Sequence, residues 1–368
     1  MGSIHVCLCG DVMTGRGIDQ VLPQPCAPVL HEPCVCDARD YVRLAEEAHG
    51  PIPRSVDFAY VWGEALGEMR KPDIDVRIVN LETSVTQCQD HCPDKEIHYR
   101  MHPGNVGCLA TAGIDCCCLA NNHVLDWGYG GLTETLATLD TAGIARAGAG
   151  SNAAEAAAPA VLTVPGKGRV LVFALGSTTS GIPQAWTAMP DRPGVNLLPD
   201  LSEGTAQRIV SVAARARQPG DVVVASIHWG SNWGYDVSRE QIDFAHTLIE
   251  GGVDLVHGHS SHHPRPIEVY RDRPILYGCG DFLNDYEGIG GYERYRGDLR
   301  LLYLIDLDSR DGRLAGVRLV PFRVQQFRLG RASEADTTWL CDVMNRYGER
   351  FGTRMTPGDA GGLTLHWR

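Results

Sequence analysis

The stretch Val253–Tyr270, VDLVHGHSSHHPRPIEVY, carries an apolar run straight into His257, His259, His262 and His263. A short apolar run closed by a polar turn reads as a buried strand. Ligands in α/β sheets gather outside the carboxyl ends of such strands. Four imidazoles this close would repel one another if protonated, whereas neutral imidazole is the commonest side-chain metal ligand. The stretch therefore poses a metal site at a strand end, and its remaining ligands must come from other strands that end the same way.

Four other segments do. Residues 3–11 (SIHVCLCGD) alternate and end at Asp11, and residues 74–82 (IDVRIVNLE) end at Asn80 and Glu82. Residues 114–123 (IDCCCLANNH) end at Asn121, Asn122 and His123, and residues 221–230 (DVVVASIHWG) carry His228. Between the strands, residues 39–49, 130–142, 204–217 and 238–250 read as helices, and 151–158 (SNAAEAAA) as a capped helix start. Two hairpins are expected, one turning around Gly166–Gly168 and one within 298–330 turning at SRDGR. Strands alternating with helices place the chain in the α/β class. Neither a repeat nor a long linker interrupts it, so residues 1–330 read as one domain and 331–368 as a C-terminal extension packed on it.

The chain has 368 residues, 43% hydrophobic and 21% charged, which suits a folded globular protein. A net charge of −12, without a Lys/Arg cluster, argues against a nucleic-acid partner. No segment reaches the roughly 18–20 apolar residues needed to span a bilayer, and the start lacks a signal-peptide pattern. The expectation is a cytoplasmic protein without a membrane partner. Thirteen cysteines are present, and the consecutive Cys116, Cys117 and Cys118 read as small apolar core residues alternating across a strand. That favours a reducing compartment. Cys26, Cys34, Cys36, Cys88 and Cys92 lie in Pro-rich or polar stretches at C-x-C and C-x3-C spacings unlike a zinc knuckle, which leaves free thiols, a disulfide or a structural zinc open.

Asp, Glu, Asn and His without thiolate suit hard or borderline divalent ions: manganese, iron or zinc. Trp127, Trp229 and Trp233 flank these segments, either as walls of a substrate site or as core. The ordered set GDVM, NLETSVT, LANNHVLDWG, IHWGSNWG, GHSSHHPRPIEV and ILYGCGDFLNDY, from about Ile4 to about Tyr286, resembles the CapA family. These are poly-γ-glutamate synthesis proteins of the calcineurin-like metallophosphoesterase superfamily. The resemblance implies an α/β sandwich of two mixed β-sheets flanked by helices, with a centre of two divalent metal ions at one edge. By matching motif it implies Asp11, Glu82, Asn122, His228, His259 and His262 as metal ligands, with Glu82 bridging, and His123 as the catalytic histidine. Arg16 and Arg100 are the candidates to neutralise a phosphate through bidentate hydrogen bonds.

Two departures stand out. The superfamily opens with Asp-x-His, but position 13 is Met13, which removes one imidazole. The closing Gly-His-x-His is stretched to Gly258-His259-Ser260-Ser261-His262, which leaves the choice among the four histidines open. Asp281 and Asp285 either compensate or serve as turn and capping residues. The resulting expectation is a metal-dependent hydrolase that uses a metal-activated water on a phosphoester or related bond of a small-molecule or peptide-like substrate. The alternatives are an amide-bond ligase or amidohydrolase acting on γ-glutamyl-like or other carboxylated substrates, and a non-catalytic metabolite-binding member of the family. The chain has no P-loop for ATP-dependent ligation.

Overall fold

The computed structural model describes residues 2–93 and 95–368. The strand Ser3–Val12 shows why the sequence makes a sandwich. Ile4, Val6 and Leu8 turn into a core shared with a second sheet, while Cys7 and Cys9 turn the other way onto helices, joined there by Val12 past a register shift in the strand. The period of two along a strand thus supplies two apolar faces, and both are covered.

The larger sheet has ten strands. Ser3–Val12 lies at its centre, parallel to Val76–Leu81, which is parallel to Cys116–Cys118 and, through it, to Ala145–Ala147. On its other side Leu299–Asp308 runs antiparallel and continues into Leu314–Gln325, the hairpin expected at SRDGR. The second sheet has seven strands. Gly168–Ser177, Val222–His228, Leu255–His259 and Arg273–Leu276 run parallel in that order, and Ala160–Val164 folds back antiparallel on Gly168–Ser177. Val172, Val224 and Leu255 of this sheet face Val6, Ile78 and Ile305 of the first. Each such side chain contributes about 1.5–3 kcal/mol by leaving water, which is what holds the sheets face to face.

Helices cover both outer faces. Arg39–His49 and Gly128–Thr141 lie on the larger sheet through Val42, Ala45, Leu132 and Leu139. Glu203–Ala216 and Arg239–Glu250 lie on the smaller through Ala206, Ala213, Phe244 and Leu248. The second of these begins in a capping box, in which Ser238 Oγ accepts from the Gln241 N–H and Gln241 Oε1 accepts from the Ser238 N–H, both at 3.2 Å. Two mixed sheets flanked by helices form the calcineurin-like metallophosphoesterase sandwich. Among the described residues, no helix is long and apolar enough to cross a membrane.

Three details differ from, or add to, the sequence reading. The expected strand 114–123 is paired only over Cys116–Cys118, because Asn121 donates to Leu81 O at 2.8 Å and accepts from the His123 N–H at 3.1 Å, turning the chain out of the ladder. Cys116 and Cys118 face the inter-sheet core and Cys117 the helices, and all thirteen cysteines are free thiols. Residues 331–368 form the helix Glu334–Gly348 and the hairpin Thr353–Pro357/Leu363–Trp367, whose second strand pairs with Leu314–Gln325. Leu340, Met344, Met355 and Leu365 thereby enter the inter-sheet core.

Candidate metal centre

The two sheets meet where their parallel strands end. On the larger sheet Asp11 stands in register with Asn80 on one side and with Asp281 on the other, where the short strand Asp281–Leu283 pairs with the end of Ser3–Val12. On the smaller sheet His228 is in register with His259. The approach of the two chain segments requires glycine: a Cβ on Gly10 would fall 1.7 Å from the Gly280 carbonyl oxygen.

Two groups of possible ligands result, Asp11 with His228 and His259, and Asp11 with His262 and Asp281. In each, three ligand atoms lie within 4.8 Å of one another and all three residues are buried. Asp11 is the residue common to both. Its Oδ1 accepts from Asn80 Nδ2 at 2.7 Å and its Oδ2 from the Ser260 N–H at 3.1 Å, which fixes the carboxylate in the plane between them. Ser260 holds a left-handed φ of 96° to do so. Glu82 stands just outside the groups, with Oε1 3.8 Å from His123 Nε2 and 3.9 Å from His228 Nε2. Asp11 is thus the carboxylate common to both groups, and Glu82 lies beside His123 and His228.

Charge and lone pairs suit cations here. Burial, reinforced by Asp281, pushes the Asp11 carboxyl up to about 7, and burial next to Asp11 and Asp281 raises Glu82 well above the carboxylate range. Burial lowers His228 and His259 well below the usual imidazole value, so both are neutral. His262 is opposed by burial, but the Asp281 carboxylate 2.8 Å away raises it. His228 Nε2 is 2.9 Å from Asn122 Oδ1, and His259 Nε2 is 2.9 Å from Ser226 Oγ. With those nitrogens engaged, the two Nδ1 atoms face each other at 2.8 Å, an arrangement that a shared cation relieves. A cluster of acids with the neutral imidazoles of His228 and His259, closed off from water, fits divalent metal.

His123 sits beside this cluster. Its Nδ1 is 2.6 Å from Asp126 Oδ2, and the same carboxylate oxygen accepts from the Tyr99 N–H at 2.7 Å. Lys95 Nζ donates to Asp126 and to the Asn122 carbonyl. Burial pushes the His123 imidazole down to about 4, against the pull of Asp126, while His123 and Lys95 hold the buried Asp126 below the carboxylate range.

The remaining sequence candidates lie elsewhere. His257 bonds Cys9 O at 2.9 Å and Ser226 Oγ at 3.0 Å, facing the core. His263 bonds Pro264 O and packs edge-on against Tyr235. Met13 is fully buried with its sulfur beside Tyr286 Oη, and Asp281 supplies a carboxylate next to Asp11 instead. Arg16 is spent on Asp285, Glu32 and Tyr41, and Arg100 donates to the Cys88 and Ala27 carbonyls while stacking on Trp127 at 3.8 Å. All three nitrogens of Arg16 are held by buried side chains, and both terminal nitrogens of Arg100 are held by backbone carbonyls. Trp127 and Trp229 are core, whereas Trp233 lines a cavity of about 390 Å³ that also borders Asp281, Tyr286 and Tyr292. Sequence reasoning missed Asp126, three positions past His123 in NNHVLDWG, where a turn returns its carboxylate to the ring. Nothing local marked Lys95.

Comparisons with known proteins find a matching family and relatives. The family described as bacterial capsule synthesis protein PGA_cap matches residues 5–286, which spans every residue of the two ligand groups. A probable polyglutamine synthesis accessory protein of Mycobacterium tuberculosis is 48% identical over 353 residues, 96% of this chain and 93% of that protein. The PGA biosynthesis protein CapA of Bacillus subtilis is 28% identical over 278 residues, 75% of this chain and 62% of that one. The capsule biosynthesis protein CapA of Bacillus anthracis is 28% identical over 238 residues, 63% of this chain and 53% of that one. With the sandwich, the strand-end ligand groups and these matches in hand, the chain belongs to the PGA_cap, or CapA, family of capsule and polyglutamate synthesis proteins.

Proposed function

We propose that this chain is a metal-dependent hydrolase working within polyglutamate or capsule-polymer metabolism. The observation that carries the reading is the buried pair of ligand groups sharing Asp11, with the His123–Asp126 pair at its rim. Asp11, His228 and His259 would hold one divalent ion and Asp11, His262 and Asp281 the other, with Asn122 and Glu82 at the margin. Such ions supply Lewis acidity and lower the pKa of bound water towards neutrality.

The protein's own groups do the rest. Asp126 accepts the His123 Nδ1 proton, which leaves Nε2 facing the cluster as a proton acceptor in the neutral ring. A proton taken up at Nε2 makes an imidazolium that Asp126 stabilises, ready to be returned to a leaving group. Burial of the cluster excludes bulk water, and Trp233 and Tyr286 wall the cavity that leads to Asp281.

A second reading concerns the bond cleaved. Both arginines that would clamp a phosphate are engaged, and the relatives are named for polyglutamine and PGA synthesis. These observations favour amide chemistry on γ-glutamyl-like substrates over phosphoester hydrolysis. The test is turnover of γ-glutamyl peptides and of an aryl phosphate at matched manganese or zinc loading, alongside metal content. Asp11→Asn should abolish turnover and lower the content of both ions, whereas His262→Ala should lower it at one. Full metal content in Asp11→Asn would overturn the assignment, and metal-loaded protein that binds metabolite without turnover would move it to the non-catalytic alternative.

A further inference from the structure

Away from the centre, two loops bring three more histidines together. The His31 and His91 rings stack with centroids 3.7 Å apart, and His98 meets them edge-on at 6.3 and 5.4 Å. His98 is only 1% exposed. Its Nε2 is 2.7 Å from the Cys92 carbonyl oxygen. A carbonyl only accepts, so Nε2 carries the proton and Nδ1 holds the lone pair in the neutral ring. That Nδ1 is buried and, among the described residues, has no hydrogen-bond partner. An imidazole whose one nitrogen donates to a backbone carbonyl while the other stands bare is the form in which histidine binds metal.

We propose that His31, His91 and His98 form a second metal site, independent of the Asp11 centre, for a borderline ion of the zinc type. With nitrogen ligands at about 2.0–2.1 Å in a tetrahedral site, ring centroids stand about 5 Å apart. The His91–His98 distance of 5.4 Å lies near that value, and the 6.3 Å from His98 to His31 is to be closed by movement of the His31 ring. The stacked pair closes on an ion once one ring turns edge-on, and His31 is exposed, so the turn needs only side-chain rotation. Imidazole ligands suit zinc better than the harder ions that an Asp-rich centre accepts.

The location suggests a clamp. The Cys92 N–H donates to the Asp126 carbonyl at 2.8 Å, and Lys95, in the same loop, bonds the Asp126 carboxylate. Trp127, next in sequence, lies 6.0–6.5 Å from all three imidazoles. An ion there ties the loop bearing His31 to the loop that delivers Lys95 to the His123–Asp126 pair.

The test uses zinc itself, with equilibrium dialysis and elemental analysis of full-length, tag-free protein. In the Asp11→Asn background, zinc content is compared with and without His31→Ala and His91→Ala, which remove one exposed and one half-buried ring and spare the buried His98. The Asp11→Asn protein should keep an ion that the combined variant loses, and zinc should raise the melting temperature of the first only. Equal zinc binding by the two, or none by Asp11→Asn, would overturn the proposal. Failure of the Asp11 centre reads out separately, as unchanged metal content between wild type and Asp11→Asn.

Discussion

Replacing Arg16 by alanine separates a structural arginine from a substrate-binding one. Arg16 is 4% exposed, Asp285 is fully buried and Glu32 is 5% exposed. The guanidinium holds Asp285 through Nη2 at 2.5 Å and Nε at 3.1 Å, Glu32 through Nη1 at 3.1 Å and Tyr41 Oη at 2.9 Å. It also stacks on the rings of Tyr41 and Tyr99 at 3.8 and 4.3 Å. Arg16→Ala strands two buried carboxylates, and breaking a buried pair from one side costs about 3–5 kcal/mol. Relief of the left-handed backbone at φ 46° returns little, because alanine is strained there as well. Urea unfolding at pH 7 should therefore show a loss of at least about 3 kcal/mol. Arg16→Lys should be intermediate, since an ammonium keeps the charge and loses the fork. Asp285→Asn should cost much less in the Arg16→Ala background than alone, because the two residues share one interaction. A loss below about 1 kcal/mol, coupled with a raised KM for a turned-over substrate, would refute the structural account and return Arg16 to the substrate.

Further outcomes follow from the same geometry. The folded protein binds the Asp11 proton more tightly than the unfolded chain, so that contribution is fully present below about pH 3.8 and lost as pH rises through about 7. About three pK units at about 1.4 kcal/mol each make it about 4 kcal/mol in chelator-treated protein. Asp11→Asn should remove this pH dependence of urea stability, and parallel curves would contradict it. Gly10→Ala, with its Cβ 1.7 Å from Gly280 O, should destabilise enough to abolish soluble expression or metal binding, and a variant folding like wild type would disprove the close approach. Asp126→Asn should lower kcat about a hundredfold or more with KM little changed, because His123 loses its orienting acceptor. A KM effect alone would place Asp126 in substrate binding.

The sequence by itself determined the class of fold and the position of the site along the chain. Apolar runs ending in Asp11, Glu82, His123, His228 and His259 are local facts, and strand period and turn chemistry are written in neighbouring residues. The same holds for the alternation of Cys116, Cys117 and Cys118 between two cores, and for the capped helix at Ser238. Which carboxylate stands between the ligand groups was not local. Asp11 and Asp281 are far apart in sequence, and only strand pairing past Gly10 and Gly280 sets them side by side. The same reason set Arg16 on buried acids and Arg100 on backbone carbonyls, since a guanidinium in a sequence says nothing about which of these it will meet. Lys95 and Asp126 reached His123 through loop closure. The histidines at 31, 91 and 98 gathered around Trp127 the same way. Periodicity fixes which face a side chain takes, but long-range packing decides what it faces.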